Sequence, residues 1–385
     1  MTSQINVKDL CNENEDGAPE IVNISDFSAT SYMCPPKGTT AQRPINPNPG
    51  DLRFNTDTAS LEYYKGGIWC QIVMTSPDLG GGTGSNTGTG ARGIFSGGYL
   101  SGSNDQAGID FITISTLGAS QDFGDMSSAR RGLGGAGSRV RGIFAGGDGS
   151  PSNPSNRMGH ITIPSLGNEV DFGDLTVGRE GNRCLSNSTR HINVAGYAAP
   201  ANSDVIDYVS IQGLGNAVDF GDTTQARSAS SCFASSTRGI IAVGENAGGN
   251  NNIDFITIAT TGNAQDFGDN NNGYVTSPSS GGSNATRGFI IGGFVNPARV
   301  NFISYLTTAT KGNAADFGDL TQARSAAAAV SSSTRVVNGG GASPTPSVNT
   351  MDYWEIPTTG NAVDFGDLSY NRFSHGSTSN AHGGL

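Results

Sequence analysis

The chain carries a net charge of −11 over 385 residues, and only 14% of those residues are charged, against about 25% in an ordinary globular domain. With four Lys (Lys8, Lys37, Lys65, Lys311) and no basic stripe, it offers nothing to a nucleic-acid backbone or an anionic membrane surface, and no apolar run approaches the roughly 18 residues of a membrane span. Gly occupies 57 positions and Ser, Thr and Asn crowd the remainder, which implies an all-β protein of short strands and tight turns rather than one of long amphipathic helices.

The N-terminal "MTSQINVKDLCNENEDG" has no apolar core and is not expected to be a secretory signal. "APEIVNISDFSATSYMCPP" at 18–36 is proline-bounded and too poor in apolar residues to fold alone. Residues 1–37 are therefore expected to form an extended docking arm laid on a partner. Over 38–78, the strand-like runs "DLRFNT", "SLEYYK" and "IWCQIV" alternate with the turns "NPNPGD", "TDTA" and "KGG", which reads as a small three-stranded β-meander. "TTAQRP" at 39–44, "GDLRFNT" at 50–56, "LEYY" at 61–64 and the "KGGIW" ending at Trp69 are similar to stretches in structural proteins of tailed bacteriophages, including fibres and other virion appendages. The resemblance covers about 35 residues and implies a virion component that contacts other capsid or tail proteins through residues 1–78. "LGGGTGSNTGTGA" at 79–91 reads as a Gly-rich linker, with no GK[ST] to make it a phosphate loop.

From residue 92 onward the chain repeats. "DFGD" occurs six times, at 122–125, 171–174, 219–222, 266–269, 316–319 and 364–367, with spacings of 49, 48, 47, 50 and 48 residues. Interleaved with it are a series that opens with Arg ("RGIFSGG" at 92, "RGIFAGG" at 141, "RHINVAG" at 190, "RGIIAVG" at 238, "RGFIIGG" at 287, "RVVNGGG" at 335) and an alternating series ("IDFITI" at 109, "GHITI" at 159, "IDYVSI" at 206, "IDFITI" at 253, "NFISYL" at 301, "MDYWEI" at 351). A period near 50 with four short strands per unit is the signature of a β-propeller. The order of a strand ending in Gly-Gly, an aromatic strand, an aromatic before a turn and then an Arg resembles the kelch motif, with Phe or Tyr and then Phe where kelch repeats carry Tyr and Trp. The expected fold is thus a six-bladed kelch-like propeller over 92–385. The tail "LSYNRFSHGSTSNAHGGL" matches the first-strand segments but has no second strand after it, so it is expected to complete the first blade and close the ring.

Asp122, Asp125, Asp171, Asp174, Asp219, Asp222, Asp266, Asp269, Asp316, Asp319, Asp364 and Asp367 are read as a structural repeat turn. The second Asp of each motif is followed five residues later by Arg130, Arg179, Arg227, Arg324 or Arg372; the fourth repeat has Tyr274 there. Bidentate Asp–Arg pairing within each repeat is the expected role. A kinase reading fails, because no HRD loop, glycine-rich phosphate loop or strand lysine accompanies the motif. The four His (His160, His191, His375, His382) form no HxxxH or HxH pair, so no metal and no cofactor is expected. The five Cys include no CxxC and are expected as free thiols of a protein made in a host cytoplasm. Binding is expected on the face of the variable loops between second and third strands. These features point to a non-enzymatic virion protein that displays a propeller towards a host-surface glycan or protein. A ligand-free capsid or tail cement and a carbohydrate-active propeller enzyme are the alternatives, and a homo-oligomer is compatible with all three.

Overall fold

Short alternating runs punctuated by Gly, Ser and Asn can satisfy their backbone only by pairing with one another. In the computed structural model the strands gather into seven four-stranded sheets. The structure describes residues 35–58, 60–71, 91–100, 104–149, 153–246, 249–272, 280–343 and 347–385, and among these the one helical element is the 3-10 turn Thr40–Gln42. The chain divides into two compact units, Met1–Ser76 and Pro77–Leu385. Residues 1–34 of the expected arm and 79–90 of the expected linker lie outside the described residues.

In the first unit the strands Leu52–Asn55, Ser60–Lys65 and Ile68–Gln71 form an antiparallel meander. The expectation of three strands is corrected by a fourth: Lys37–Gly38 adds in parallel to Leu52–Asn55. Two residues beside Pro35 and Pro36 carry no alternation, so only the pairing reveals them. The core of this sheet is polar. Glu62 accepts from Arg43 at 2.5 Å, Arg53 at 2.9 Å and Asn55 at 3.1 Å, and both guanidinium groups lie about 6 Å from the centre of the Trp69 ring. The Arg43 bond holds the Glu62 carboxyl below its ordinary range.

The second unit contains six four-stranded sheets. Five are built from consecutive strands; the remaining one joins Arg92–Ser96, Gly108–Thr113 and Gln121–Asp125 to the tail strand Gly376–Ser379, which pairs with Arg92–Ser96. The innermost strands are Gly376–Ser379, Gly134–Gly137, Arg183–Ser186, Ser231–Ala234, Ser280–Ser283 and Ala328–Ser331. Each lies beside the next, and the last lies beside the first. The result is a propeller-like ring. The apolar core is six buried clusters, each drawn from two neighbouring sheets; one, for example, combines Ile94 and Phe123 with Phe144 and Ile161. Small inner-strand residues such as Gly134, Ser231 and Ala328 suit the crowding at the axis. Ser186, Ser283 and Ser379 hydroxyls donate to the neighbouring inner strand at 2.7–2.8 Å.

DFGD is not a turn, which corrects the expectation. In all six repeats it occupies the outermost strand, as in Gln121–Asp125 and Val218–Asp222. The register shifts at its Phe, so that Asp122 faces Asp110 and Gly124 faces Ile109. The Phe is buried in each copy. The Gly takes φ between 139° and 153°, and a Cβ there would lie 2.3–2.6 Å from the carbonyl oxygen of a Gly in the next sheet's 3–4 turn. This closeness has a purpose. The turn Gly donates its N–H to the DFGD Phe carbonyl at 2.7–3.0 Å, and the residue two further on donates to the second Asp carbonyl at 2.7–2.9 Å, in all six sheets. In five of them the intervening Asn side chain also accepts from that Asp N–H at 2.9–3.1 Å. Each exposed outer edge is thereby satisfied by its neighbour.

The Arg that opens each second strand makes a second ring of inter-sheet bonds. Arg92, Arg141, Arg190, Arg238, Arg287 and Arg335 each donate to a carbonyl at the end of the next sheet's third strand, at 2.6–3.1 Å. Five of them also stack on the aromatic of their own third strand, with 4.4–5.1 Å between guanidinium carbon and ring centre. Gly221→Ala is expected to strain the backbone and push the Gly262 carbonyl away, lowering stability by about 1–3 kcal/mol. Urea unfolding of this variant beside Gly213→Ala, where nothing lies within 4 Å of the added Cβ, checks the account: equal losses would contradict it.

Candidate functional site

Five Arg follow DFGD, and all five are buried side chains: Arg130, Arg179, Arg227, Arg324 and Arg372. The structure corrects their partners. None pairs with the DFGD Asp that precedes it. Arg179 and Arg324 pair with Asp207 and Asp352 at 2.7 Å, and Arg227 and Arg372 pair closely with Asp254 and Asp110. Each of these carboxylates sits on a third strand, in "IDF", "IDY" or "MDY", and also accepts from the Ser or Thr three residues before the Arg. The pair thus ties the segment entering a sheet to the middle of that sheet. Further guanidinium donors go to backbone carbonyls, as in Arg227 to Val243 and Asn252, while the Nε atoms of Arg130, Arg179, Arg324 and Arg372 are buried without a hydrogen-bond partner.

The two departures from the pattern obey the same rule. In the second sheet Gly159 replaces the Asp, and Glu169 reaches in to bind Arg130 at 2.7 Å; a Cβ on Gly159 would sit 2.1 Å from the Glu169 Oε1. In the fifth sheet, where Tyr274 replaces the Arg, Ser304 replaces the Asp and accepts from Asn272 at 2.7 Å. Lone buried charge is avoided in both cases.

The twelve DFGD carboxylates are exposed or half-buried and are spread over six sheets, two to each. The only ion pair they form among the described residues is a loose one, Asp171 to Arg157 at 3.9 Å. They are brought to no common point. No three His, Cys, Asp or Glu side chains converge in a metal-binding arrangement among the described residues. Cys70, Cys184 and Cys232 are free thiols; Cys11 and Cys34 lie outside the described residues.

Asymmetry enters near the axis, where the inner strands begin. Gly132, Gly181, Ala229, Ala326 and Ser374 take left-handed backbone, φ 54–64°. Their amides link sheet to sheet: Gly132 donates to Ser374, Gly181 to Gly132, Ala229 to Gly181 and Ser374 to Ala326, at 2.6–2.8 Å. Above this collar, on the second, third and fourth sheets, lies a cavity of about 350 Å³ lined by Arg131, Glu180, Arg183, Tyr197, Asn202, Glu245 and the collar itself. Arg131 is matched by Asp105 at 3.1 Å and by Asp148, and stacks on Tyr99. Glu180 and Tyr197 exchange backbone bonds, as do Ser228 and Glu245, and Asn202 Nδ2 clasps the Glu245 carbonyl at 2.9 Å. Burial, reinforced by Asp148, pushes the Glu180 carboxyl above the usual carboxylate range; burial alone does the same for Glu245. Arg183 occupies the first inner-strand position, where the other five sheets have Gly134, Ser231, Ser280, Ala328 and Gly376. Its guanidinium donates to the Asn182 carbonyl at 3.2 Å.

A second cavity of about 80 Å³ lies among the inner strands, with Arg183, Cys184, Cys232 and His375 on its wall. It meets the chain's C-terminal residues at His382. His382 Nε2 lies 2.8 Å from the Gly137 carbonyl and 3.2 Å from Ser186 Oγ, and Gly383 donates to Ser283 at 2.9 Å. The tail therefore lies against this cavity after completing the first sheet.

The variable 2–3 segments do supply Tyr197, Asn202 and Glu245. In the third sheet that segment is no irregular loop: Arg190–Ala198 and Ala201–Ser210 extend as a hairpin that carries Tyr197 opposite Asn202. Arg131, Glu180 and Arg183 were not anticipated. Their signal is departure from the repeat, such as Arg where every other inner strand starts with Gly, Ser or Ala. Compared with known proteins, the chain matches no family model and no curated protein.

Asp254→Ala is expected to strand the buried Arg227 charge and cost about 3–5 kcal/mol, whereas Asp222→Ala should fall within about 0.5 kcal/mol of the parent; chemical denaturation of both variants decides it. His191 is fully buried, and burial lowers its pKa to about 4, the bond to Asn193 offsetting only part. Its folded pKa lies below the unfolded value, so its term in the stability is level above pH ~6.5 and falls by up to about 3 kcal/mol as the pH drops towards 4. His191→Asn should make the measured slope between those limits shallower, the part owed to His375 and His382, which burial also lowers, remaining, and an unchanged slope would refute the assignment.

Proposed function

We propose that the chain is a non-enzymatic component of a tailed-bacteriophage particle, attached through its N-terminal unit and displaying a six-bladed kelch-like propeller towards the host surface. The observation that carries this reading is the pairing of two separate compact units. In the smaller one, the residues of the phage-like stretch are not scattered: Arg43, Arg53, Asn55, Glu62 and Trp69 meet in one polar core. In the larger one, the second-strand Arg are taken up by bonds between sheets and the Arg that follow DFGD by buried pairs within sheets, which leaves recognition to the asymmetric collar face. Six sheets, Gly-Gly second strands and a first sheet completed by the tail support the six-bladed count and the kelch likeness.

The test is a reporter fused to residues 1–91, mixed with phage particles that lack this protein. Decoration of the particles by the fusion, and none by residues 92–385 alone, is the expected result. Binding by the propeller with none by the fusion would reverse the division of labour.

A further inference from the structure

At the collar cavity the described residues break the six-fold repeat with several charges at once. Arg131 is already matched by Asp105 and Asp148. That leaves two carboxylates, Glu180 and Glu245, without an ion-pair partner among the described residues, around about 350 Å³ that is also lined by Arg183, whose guanidinium donates to the Asn182 carbonyl but forms no ion pair among the described residues. Such an excess of carboxylate repels an anion. It suits a ligand rich in hydroxyl donors, because a carboxylate accepts two parallel hydrogen bonds from adjacent hydroxyls as it would from a guanidinium. Arg183 and Asn202 add donors for ring and glycosidic oxygens. Tyr197, 36% exposed, gives an apolar wall with a polar tip, the combination that packs on the C–H face of a sugar.

A second observation falls on the same two sheets. At the end of the second strand, four sheets use Gly97, Gly146, Gly292 and Gly340 in left-handed backbone; the third and fourth instead hold Ala195 at φ 51° and Val243 at φ 49°. A β-branched residue in that region is an outlier. Ala195 lies two residues before Tyr197 and Val243 two before Glu245, so strained backbone sets the take-off of both lining side chains.

We propose that this cavity binds a neutral saccharide residue of a surface glycan, held by Glu180 and Glu245 as acceptors, by Arg183 and Asn202 as donors and by the Tyr197 ring. The inference rests on the display reading above and names its ligand class.

Saturation-transfer NMR and calorimetry on the full chain test it, with methyl glucoside, methyl galactoside and diacetylchitobiose as neutral probes and sialyllactose and glucuronate as acidic ones. At least one neutral probe should bind and the acidic ones should not. Glu180→Gln, Glu245→Gln and Tyr197→Ala, each with unchanged thermal unfolding, should weaken that binding tenfold or more, and acidification through the carboxyl range should weaken it in the parent. Failure of every neutral probe, tighter binding of the acidic ones, or full retention in all three variants would overturn the proposal. Binding of a protein extract in place of every sugar would overturn it too. Decoration of particles by residues 1–91 does not depend on these outcomes, so the two readings fail separately.

Discussion

A four-stranded sheet with apolar residues on both faces has no stable existence alone. Each sheet of the larger unit buries one face against the sheet before it and the other against the sheet after it, and that obligation never ends unless the row returns on itself. Most of the ring's repeated residues serve this constraint. Phe from each DFGD enters the cluster between two sheets. The second-strand Arg bridges to the neighbour's carbonyl, and the outermost strand is closed by the neighbour's turn. Polar bonding and apolar packing run across the same seams, which is why so few charges suffice.

The buried Arg–carboxylate pairs belong to a different task. They lie within a sheet's own frame, fixing the incoming segment against the third strand. Their Coulomb attraction is offset by the cost of dehydrating both ions, and their main contribution is to register rather than to net stability. The substitution pair Gly159 and Glu169, and the joint loss of Arg and Asp around Tyr274 and Ser304, show that the constraint acts on the pair and not on either residue.

The ring was legible in the sequence because the period is long, repeated six times and anchored by Gly at positions that need it. The role of DFGD was not, because its Gly looks like a turn residue until the neighbouring sheet's backbone is placed against it. The Arg partner was misread for a related reason: Asp125 and Arg130 are close in sequence, while Asp110 and Arg372 are far apart in it and meet only through the fold. Two-residue Lys37–Gly38 carried no pattern at all. The collar cavity combines Arg131 and Glu180 from one kind of segment with Tyr197 and Glu245 from another, so only their equivalence across repeats, and their departure from it, marked them.

The strand Gly376–Ser379 completes a sheet whose other members end at Asp125. During synthesis, the first sheet to be started is therefore the last to be finished. Until then Arg92–Ser96 offers an unpaired strand edge with Ile94 and Phe95 upon it, while five later sheets assemble. A chain that lacks Gly376–Ser379 keeps that edge open to pairing with other chains, whereas adding these four residues hides it in one step.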